Sequence, residues 1–218
     1  MTALLCSATD DGFVIGADGM RQRTDGSVRL DAQKVFPLQT DGVDLACGWA
    51  GIVGNDLVEF AAVTKKAFGI TATQSKHPCD YIENLVETVH RSIPGNFWPV
   101  FHPTGKELTL VIFAGYFKGE PILSKFQLAA SMGRPEHLEG CRGVVPVTGS
   151  ETVFQEFKPR AYKIKSLEHS REFVEDYIRE CSERRGIEPD CAGIGGHIHI
   201  AQITPDGFSW LIEPKTGE

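Results

Sequence analysis

The sequence contains no apolar run approaching the roughly 20 residues that a membrane-spanning helix needs, which excludes that class of membrane protein. It also lacks an excess of positive charge: 22 lysines and arginines stand against 29 aspartates and glutamates, for a formal charge of −7. Without a basic run or face, neither nucleic acid nor an anionic membrane is expected as a partner. Cys6, Cys47, Cys79, Cys141, Cys181 and Cys191 are scattered, with no C-x-x-C pair. In a chain too long to need stapling they read as reduced, mostly structural thiols. The beginning of the chain has no basic region followed by a long apolar segment and a cleavage site, so a cytoplasmic location is expected rather than secretion. Internal repeats, linkers and low-complexity segments are also missing.

What remains is an ordinary globular composition. With 41% hydrophobic and 23% charged residues over 218 positions, the chain can bury a sizeable core, and 1–218 is expected to be one domain.

Hydrophobic periodicity predicts the order of elements. Ala3 to Cys6 and Phe13 to Ala17 are apolar around Asp10-Asp11-Gly12, a β-hairpin pattern. A second strand pair is expected in Ser27 to Leu30 and Lys34 to Leu38, then a short strand from Val43 to Cys47 leading into the glycine-rich Gly48 to Gly54. Two helices follow, one from about Asn55 to Phe68 and one after Pro78. In the latter, Ile82, Leu85, Val86 and Val89 share a face, Asp80 is the expected N-cap with Glu83 completing a capping box, and Pro94-Gly95 is the stop. Leu108 to Phe117 and Pro121 to Leu128 form another strand pair around Lys118-Gly119. A strand at Val144 to Val147, a short helix at Glu151 to Phe157, a helix from about Leu167 to Arg184, and a closing hairpin of His197 to Ile203 with Phe208 to Ile212 complete the order. Segregated runs of strands and helices suggest an α+β fold, with helices on the outer faces of sheets rather than alternating βαβ units.

The chemistry centres on Thr2. If Met1 is removed, this residue carries both a free α-amine and a hydroxyl, a nucleophile with its own base attached. Asp18 and Lys34 follow at equal intervals of 16 residues. Each has a plainer reading alone: a strand threonine, a turn aspartate, a solvated lysine. His197 and His199 would share one side of a regular strand, but no third ligand lies nearby, so packing or exposed histidines are expected and no metal or cofactor is. Trp49, Trp98 and Trp210 read as core or interface residues. The aromatic stretch Phe97-Trp98-Pro99-Val100-Phe101 fits an oligomer contact or a buried loop anchor.

Taken together, Thr2, Gly16-Ala17-Asp18 and Asp31-Ala32-Gln33-Lys34-Val35-Phe36-Pro37-Leu38 resemble the proteasome β-subunits of the N-terminal nucleophile (Ntn) hydrolases. In that family an N-terminal Thr, an Ala-Asp pair and a Lys in a D-A-Q-K segment recur in this order. Ala50-Gly51-Ile52-Val53-Gly54 is similar to the family's A-G-L-x-x-D segment, Thr148-Gly149-Ser150 to its G-S loop, and Gly195-Gly196-His197-Ile198-His199-Ile200-Ala201 with Asp206-Gly207-Phe208 to its closing hairpin. The likeness runs from Thr2 to about Leu211. It implies a four-layer αββα sandwich, two stacked antiparallel sheets between helical layers.

It also implies roles. Lys34 near the threonine oxygen would favour the neutral amine and stabilise developing negative charge, and Asp18 would keep Lys34 cationic and oriented. Gly51 would supply a backbone oxyanion donor, with Gly48 as the competing position. Ser150 would complete a hydrogen-bond network around the Thr2 amine, and Asp190 is its expected acidic member. Here the chain departs from the pattern: the loop Asp190 to Gly196 is one residue longer than in the family and lacks its serine.

The reaction expected is amide hydrolysis through an ester-linked acyl-enzyme on Thr2, with a peptide or protein substrate and a homo-oligomeric or ring assembly. Ring size and an ATPase partner have no signature in the sequence. No long propeptide precedes Thr2, so its exposure is expected to depend on methionine aminopeptidase. Two alternatives stay open: a catalytically inactive assembly subunit, which the altered loop favours, and a small-molecule amidase of the same fold.

Overall fold

A computed structural model describes residues 2–22, 25–51, 59–71, 77–93, 109–128, 136–138 and 143–215. The chain opens with the expected hairpin, β1 (Leu4–Thr9) and β2 (Gly12–Ala17). The small ribbon β3 (Arg21–Gln22) and β4 (Val28–Arg29) comes next, then β5 (Val35–Thr40) and β6 (Val43–Ala50). Helices α1 (Phe60–Thr71) and α2 (Pro78–Ser92) precede β7 (Thr109–Phe117), β8 (Glu120–Leu128), β9 (Glu136–Leu138) and β10 (Val144–Thr148). Helices α3 (Glu151–Ala161) and α4 (Leu167–Glu183), two short 3₁₀ turns, and β11 (His199–Thr204) with β12 (Gly207–Ile212) complete the chain.

The strands form two five-stranded antiparallel sheets, in the orders β10-β1-β2-β11-β12 and β5-β6-β7-β8-β9. Successive strand residues point to opposite faces, and the apolar residues are divided accordingly. Leu4 and Ile15 join Val35, Ala46, Ile112 and Ile203 in one buried cluster that draws on both sheets. Their neighbours Leu5 and Val14 instead pack with Phe173, Val174, Tyr177 and Ile178 of α4. Likewise Cys47 and Trp49 of β6 turn away from Ala46 and Ala50, to meet Phe60 of α1 and Tyr81 and Leu85 of α2. Each fully buried large apolar side chain contributes roughly 1.5–3 kcal/mol, so both faces of each sheet are committed to packing. The result is a mixed α+β architecture with antiparallel sheets and, among the described residues, four α-helices.

Several local expectations are corrected. The segment 27–30 does not pair with 34–38: β4 pairs with β3, and β5 pairs with β6 through the tight turn at 41–42. Helix α2 begins at Pro78, whose missing N–H costs nothing at a first helical position. His77 is therefore the N-cap, without a side-chain bond, and Asp80 lies in the first turn. Strand β11 starts at His199 rather than at His197. The turn between β7 and β8 is as expected, with both Lys118 (φ 51°) and Gly119 (φ 83°) left-handed, the conformation that suits a two-residue hairpin loop. The start expected for the first helix near Asn55, the stop at Pro94-Gly95, Trp98 and the stretch Phe97 to Phe101 lie outside the described residues.

Candidate active site

Asp18 stands one residue beyond β2. Its N–H continues the ladder with β1 by donating to the Ala3 carbonyl at 3.1 Å, which places its carboxylate beside the start of the chain. That carboxylate joins four segments. Oδ1 accepts from Ala3 N at 2.9 Å and from Lys34 Nζ at 2.8 Å, and Oδ2 accepts from Met20 N at 3.1 Å and from Gly195 N at 3.0 Å. Lys34 Nζ also donates to Thr2 Oγ1 at 3.1 Å. Thr2, Asp18 and Lys34 are only 6%, 0% and 2% exposed. A buried ion pair is tolerable only when further hydrogen bonds replace lost water, and the three backbone donors on Asp18 meet that need.

Burial pushes the Lys34 ammonium below its ordinary pKa. The Asp18 carboxylate works in the opposite sense, and the positive charge of Arg21 adds to the lowering. Sequence reasoning that weighs only the Asp18 charge misses this, because desolvation of Lys34 is the larger effect. Arg21 is itself paired with Glu59 at 2.9 Å.

Ser150 and Asp190 form a second, separate pair. Ser150 caps α3 by accepting from Val153 N at 3.1 Å, and its hydroxyl donates to Asp190 Oδ2 at 2.8 Å. That donation holds the Asp190 carboxyl below its usual range. Asp190 Oδ1 is buried without a hydrogen-bond partner. Among the described residues no hydrogen bond joins this pair directly to Thr2. The link runs along the chain instead: Thr148, two residues before Ser150 and opposite Leu4 in the β1–β10 register, donates its hydroxyl to the Thr2 carbonyl.

The two glycines proposed for the oxyanion site differ in setting. Gly48 lies inside β6, where a Cβ would come within 2.9 Å of Leu4 Cδ1 and 3.1 Å of both Ile15 and Ile112. Close packing between the sheets is sufficient reason for that glycine. Gly51 follows the end of β6, is exposed, and has φ 84°.

Three contributors carried no sequence signal strong enough to assign a role. Thr148 and the backbone of Gly195 are two of them. The longer loop before Gly195 does not prevent its N–H from reaching Asp18, and Gly196 (φ 78°) passes so close to the Leu30 carbonyl oxygen that a Cβ would lie 2.3 Å from it. The third is His199, buried at the start of β11, whose Nε2 accepts from Lys34 N at 3.0 Å and Val35 N at 3.3 Å. His197 lies before the strand and its side chain bonds the Glu213 carbonyl at 2.6 Å instead.

Three Anbu structures are among the solved structures that superpose on this chain. A Gly-1 mutant of Anbu from Hyphomicrobium sp. strain MC1 superposes with a TM-score of 0.62 at 14% identity, covering 96% of this chain and 84% of that one. Anbu from Yersinia bercovieri, described as an ancestral β-subunit, gives 0.59 at 12% identity, covering 97% and 87%. A further Hyphomicrobium Anbu structure gives 0.57 at 14% identity, covering 97% and 85%. The fold is shared with Anbu. At such low identity the likeness carries the fold and no activity. No family model and no curated protein sequence matches the chain.

These structures correct the family reading. The motifs resemble proteasome β-subunits of the Ntn hydrolases, whereas the architecture over nearly the whole chain is of the Anbu type rather than a clear Ntn sandwich. The physical reason is that the motifs are short local segments. They specify local turns and hydrogen bonds, while the arrangement of sheets and helices is set by packing along the whole chain. Among the described residues no group of His, Cys, Asp and Glu is arranged to hold a metal, and no helix is long and apolar enough to cross a membrane.

Proposed function

We propose that this chain is a threonine-type amide hydrolase acting on peptide bonds, with Thr2 as nucleophile once Met1 has been removed. The observation that carries the reading is the buried contact of Lys34 Nζ with Thr2 Oγ1 at 3.1 Å and with Asp18 at 2.8 Å. A threonine hydroxyl becomes an effective nucleophile only if its proton has somewhere to go. Two acceptors fit: the Thr2 α-amine, with an ordinary pKa of roughly 7.7–8.0, and Lys34, whose lowered pKa eases its own loss of a proton.

In this scheme Thr2 Oγ1 attacks the amide carbonyl carbon and its proton passes to the amine. Negative charge gathers on the carbonyl oxygen, where the Gly51 N–H is the proposed donor and the Lys34 ammonium the neighbouring charge. Collapse breaks the C–N bond, and the departing amine takes the proton. Water then attacks the Thr2 ester, and Oγ1 recovers its proton as the acid leaves. Asp18 orients Lys34 throughout. Ser150 has one acceptor lone pair remaining after its two bonds, and Asp190 Oδ1 has no partner. Both suit the Thr2 ammonium that appears when Met1 is removed.

We read the chain as one domain in a four-layer αββα arrangement. Support comes from the sequence of clusters: α1 and α2 on one sheet, a cluster shared by both sheets, and α4 on the other. Assembly into a homo-oligomer is proposed on the β-subunit description of the Yersinia protein. Among the described residues Cys47, Cys79, Cys181 and Cys191 carry no disulfide, which fits a reducing cytoplasm.

A second reading, an assembly subunit without turnover, is favoured by the altered loop Asp190 to Gly196 and by the lack, among the described residues, of a direct hydrogen bond from Ser150 or Asp190 to Thr2. Panels of peptides and small amides assayed with wild-type protein and Thr2→Ala separate these readings. The proposal expects peptide hydrolysis that Thr2→Ala abolishes. Equal hydrolysis by both proteins, or none by mature wild type, overturns it, and turnover confined to small amides replaces the peptidase with an amidase. Size-exclusion chromatography tests assembly independently.

A further inference from the structure

Lys34 is held along its backbone as well as at its side chain. Its carbonyl accepts from Trp49 N at 3.0 Å, which ties it to β6. Its N–H has no strand partner: β5 begins one residue later, and the chain there lies against the other sheet. The partner it finds is an imidazole. His199 Nε2 takes both the Lys34 and the Val35 N–H at 3.0 and 3.3 Å, from a position 165 residues along the sequence. An orphaned buried N–H would be costly, and here two of them converge on one lone pair.

We propose that His199 is a positioning residue of the site, its neutral imidazole anchoring the backbone of Lys34 so that the ammonium meets Thr2 and Asp18 together. The inference rests on the threonine-nucleophile reading for its catalytic consequence, but the anchoring itself does not. Accepting two N–H groups at Nε2 requires that nitrogen to be unprotonated, so the ring proton sits on Nδ1, beside the His197 backbone. The titratable groups facing the ring are Lys34 and His197, and Trp210 packs against it with centroids 6.3 Å apart. Burial and the Lys34 charge both oppose an imidazolium, which could neither accept these bonds nor sit beside the ammonium without repulsion. A histidine held in this way is an acceptor with fixed direction. It sets the height of the Lys34 side chain above the strand, and reaction rates fall steeply with misplacement of this kind.

The test compares wild-type protein with His199→Leu, which removes the acceptor at similar volume, and His199→Gln, whose side-chain oxygen can take the place of Nε2. Two quantities are read: hydrogen exchange in the peptide carrying Lys34 and Val35, which needs no turnover, and the rate at which a β-lactone adds to Thr2, followed by intact mass. His199→Leu is expected to exchange faster at this peptide and to label about a hundredfold more slowly, while His199→Gln restores both. If His199→Leu does not fold, the Gln variant decides, because protection with labelling at the wild-type rate supports the proposal. A folded Leu variant with unchanged exchange, or a folded Gln variant with protected amides that fails to label, overturns it. Should wild-type protein resist the lactone while His199→Leu loses amide protection, the nucleophile reading fails and the anchoring by His199 stands.

Discussion

Asp18 and Asp190 both lie beside a buried hydroxyl, and they are held in contrasting ways. Asp18 has two donors on each carboxylate oxygen, drawn from four separate parts of the chain. Asp190 receives the Ser150 hydroxyl on one oxygen, with Thr152 N distant at 3.5 Å, and its other oxygen has no partner. A buried acceptor left without a donor costs roughly 1–3 kcal/mol. The Asp18 corner is therefore completed by the fold itself, whereas Asp190 keeps one oxygen without a donor among the described residues. In the proposed function the missing donor is the Thr2 amine.

The sharpest way to break this contrast is to unbalance the finished corner. Lys34→Met leaves Asp18 buried without its counter-charge, and the unfolding free energy is expected to fall by about 3–5 kcal/mol, read from the shift in denaturant midpoint. A variant as stable as wild type would mean that the ion pair is not what holds this corner together.

The second test uses pH. His199 is pushed down to about 3 from 6.5, chiefly by burial. Between those values the unfolded chain binds a proton that the folded chain refuses, so stability rises with pH across the window. The contribution is fully present above about pH 6.5 and is lost as pH falls toward 3, on the order of 5 kcal/mol over the whole window. His199→Gln removes the titrating group, and its stability is expected to fall less steeply over that range in chemical denaturation at a series of pH values. A slope unchanged from wild type would contradict the neutral buried imidazole.

Effects at the unfinished corner are smaller. Ser150→Ala removes the α3 cap and is expected to lower stability by about 1 kcal/mol, measured as a drop in melting temperature. Asp190→Asn keeps an acceptor for Ser150 and is expected to change stability by less than about 0.5 kcal/mol while slowing modification of mature Thr2. A large loss of stability in this variant would place Asp190 with Asp18 as a structural carboxylate.

How much of this could be read from sequence depends on the distance over which each feature is specified. The β1–β2 and β7–β8 hairpins, and the helix over 78–92, follow from residues within a turn of one another, and they were legible. The partner of β4 was not, because Val28 and Arg29 choose between Arg21–Gln22 and the segment after Lys34 by packing that no local pattern records. At the site, the regular spacing of Thr2, Asp18 and Lys34 pointed to residues that the fold does bring together. The role of His199 stayed hidden, since it depends on two N–H groups 164 and 165 residues away. Gly195 could not be assigned either, because a backbone donor leaves no mark on its own residue type. The family reading went astray for a related reason: short local motifs do not record how the sheets and helices between them are arranged.

In the proposed function Thr2, held by Lys34 and Asp18, is a reactive nucleophile once its amine is free. Intact-mass analysis of native protein before and after exposure to an epoxyketone or β-lactone tests it most directly. The account predicts a chain without Met1 that gains one equivalent of probe, with no gain in Thr2→Ala. Retained Met1, or a mature Thr2 left unmodified across several such probes, would contradict it.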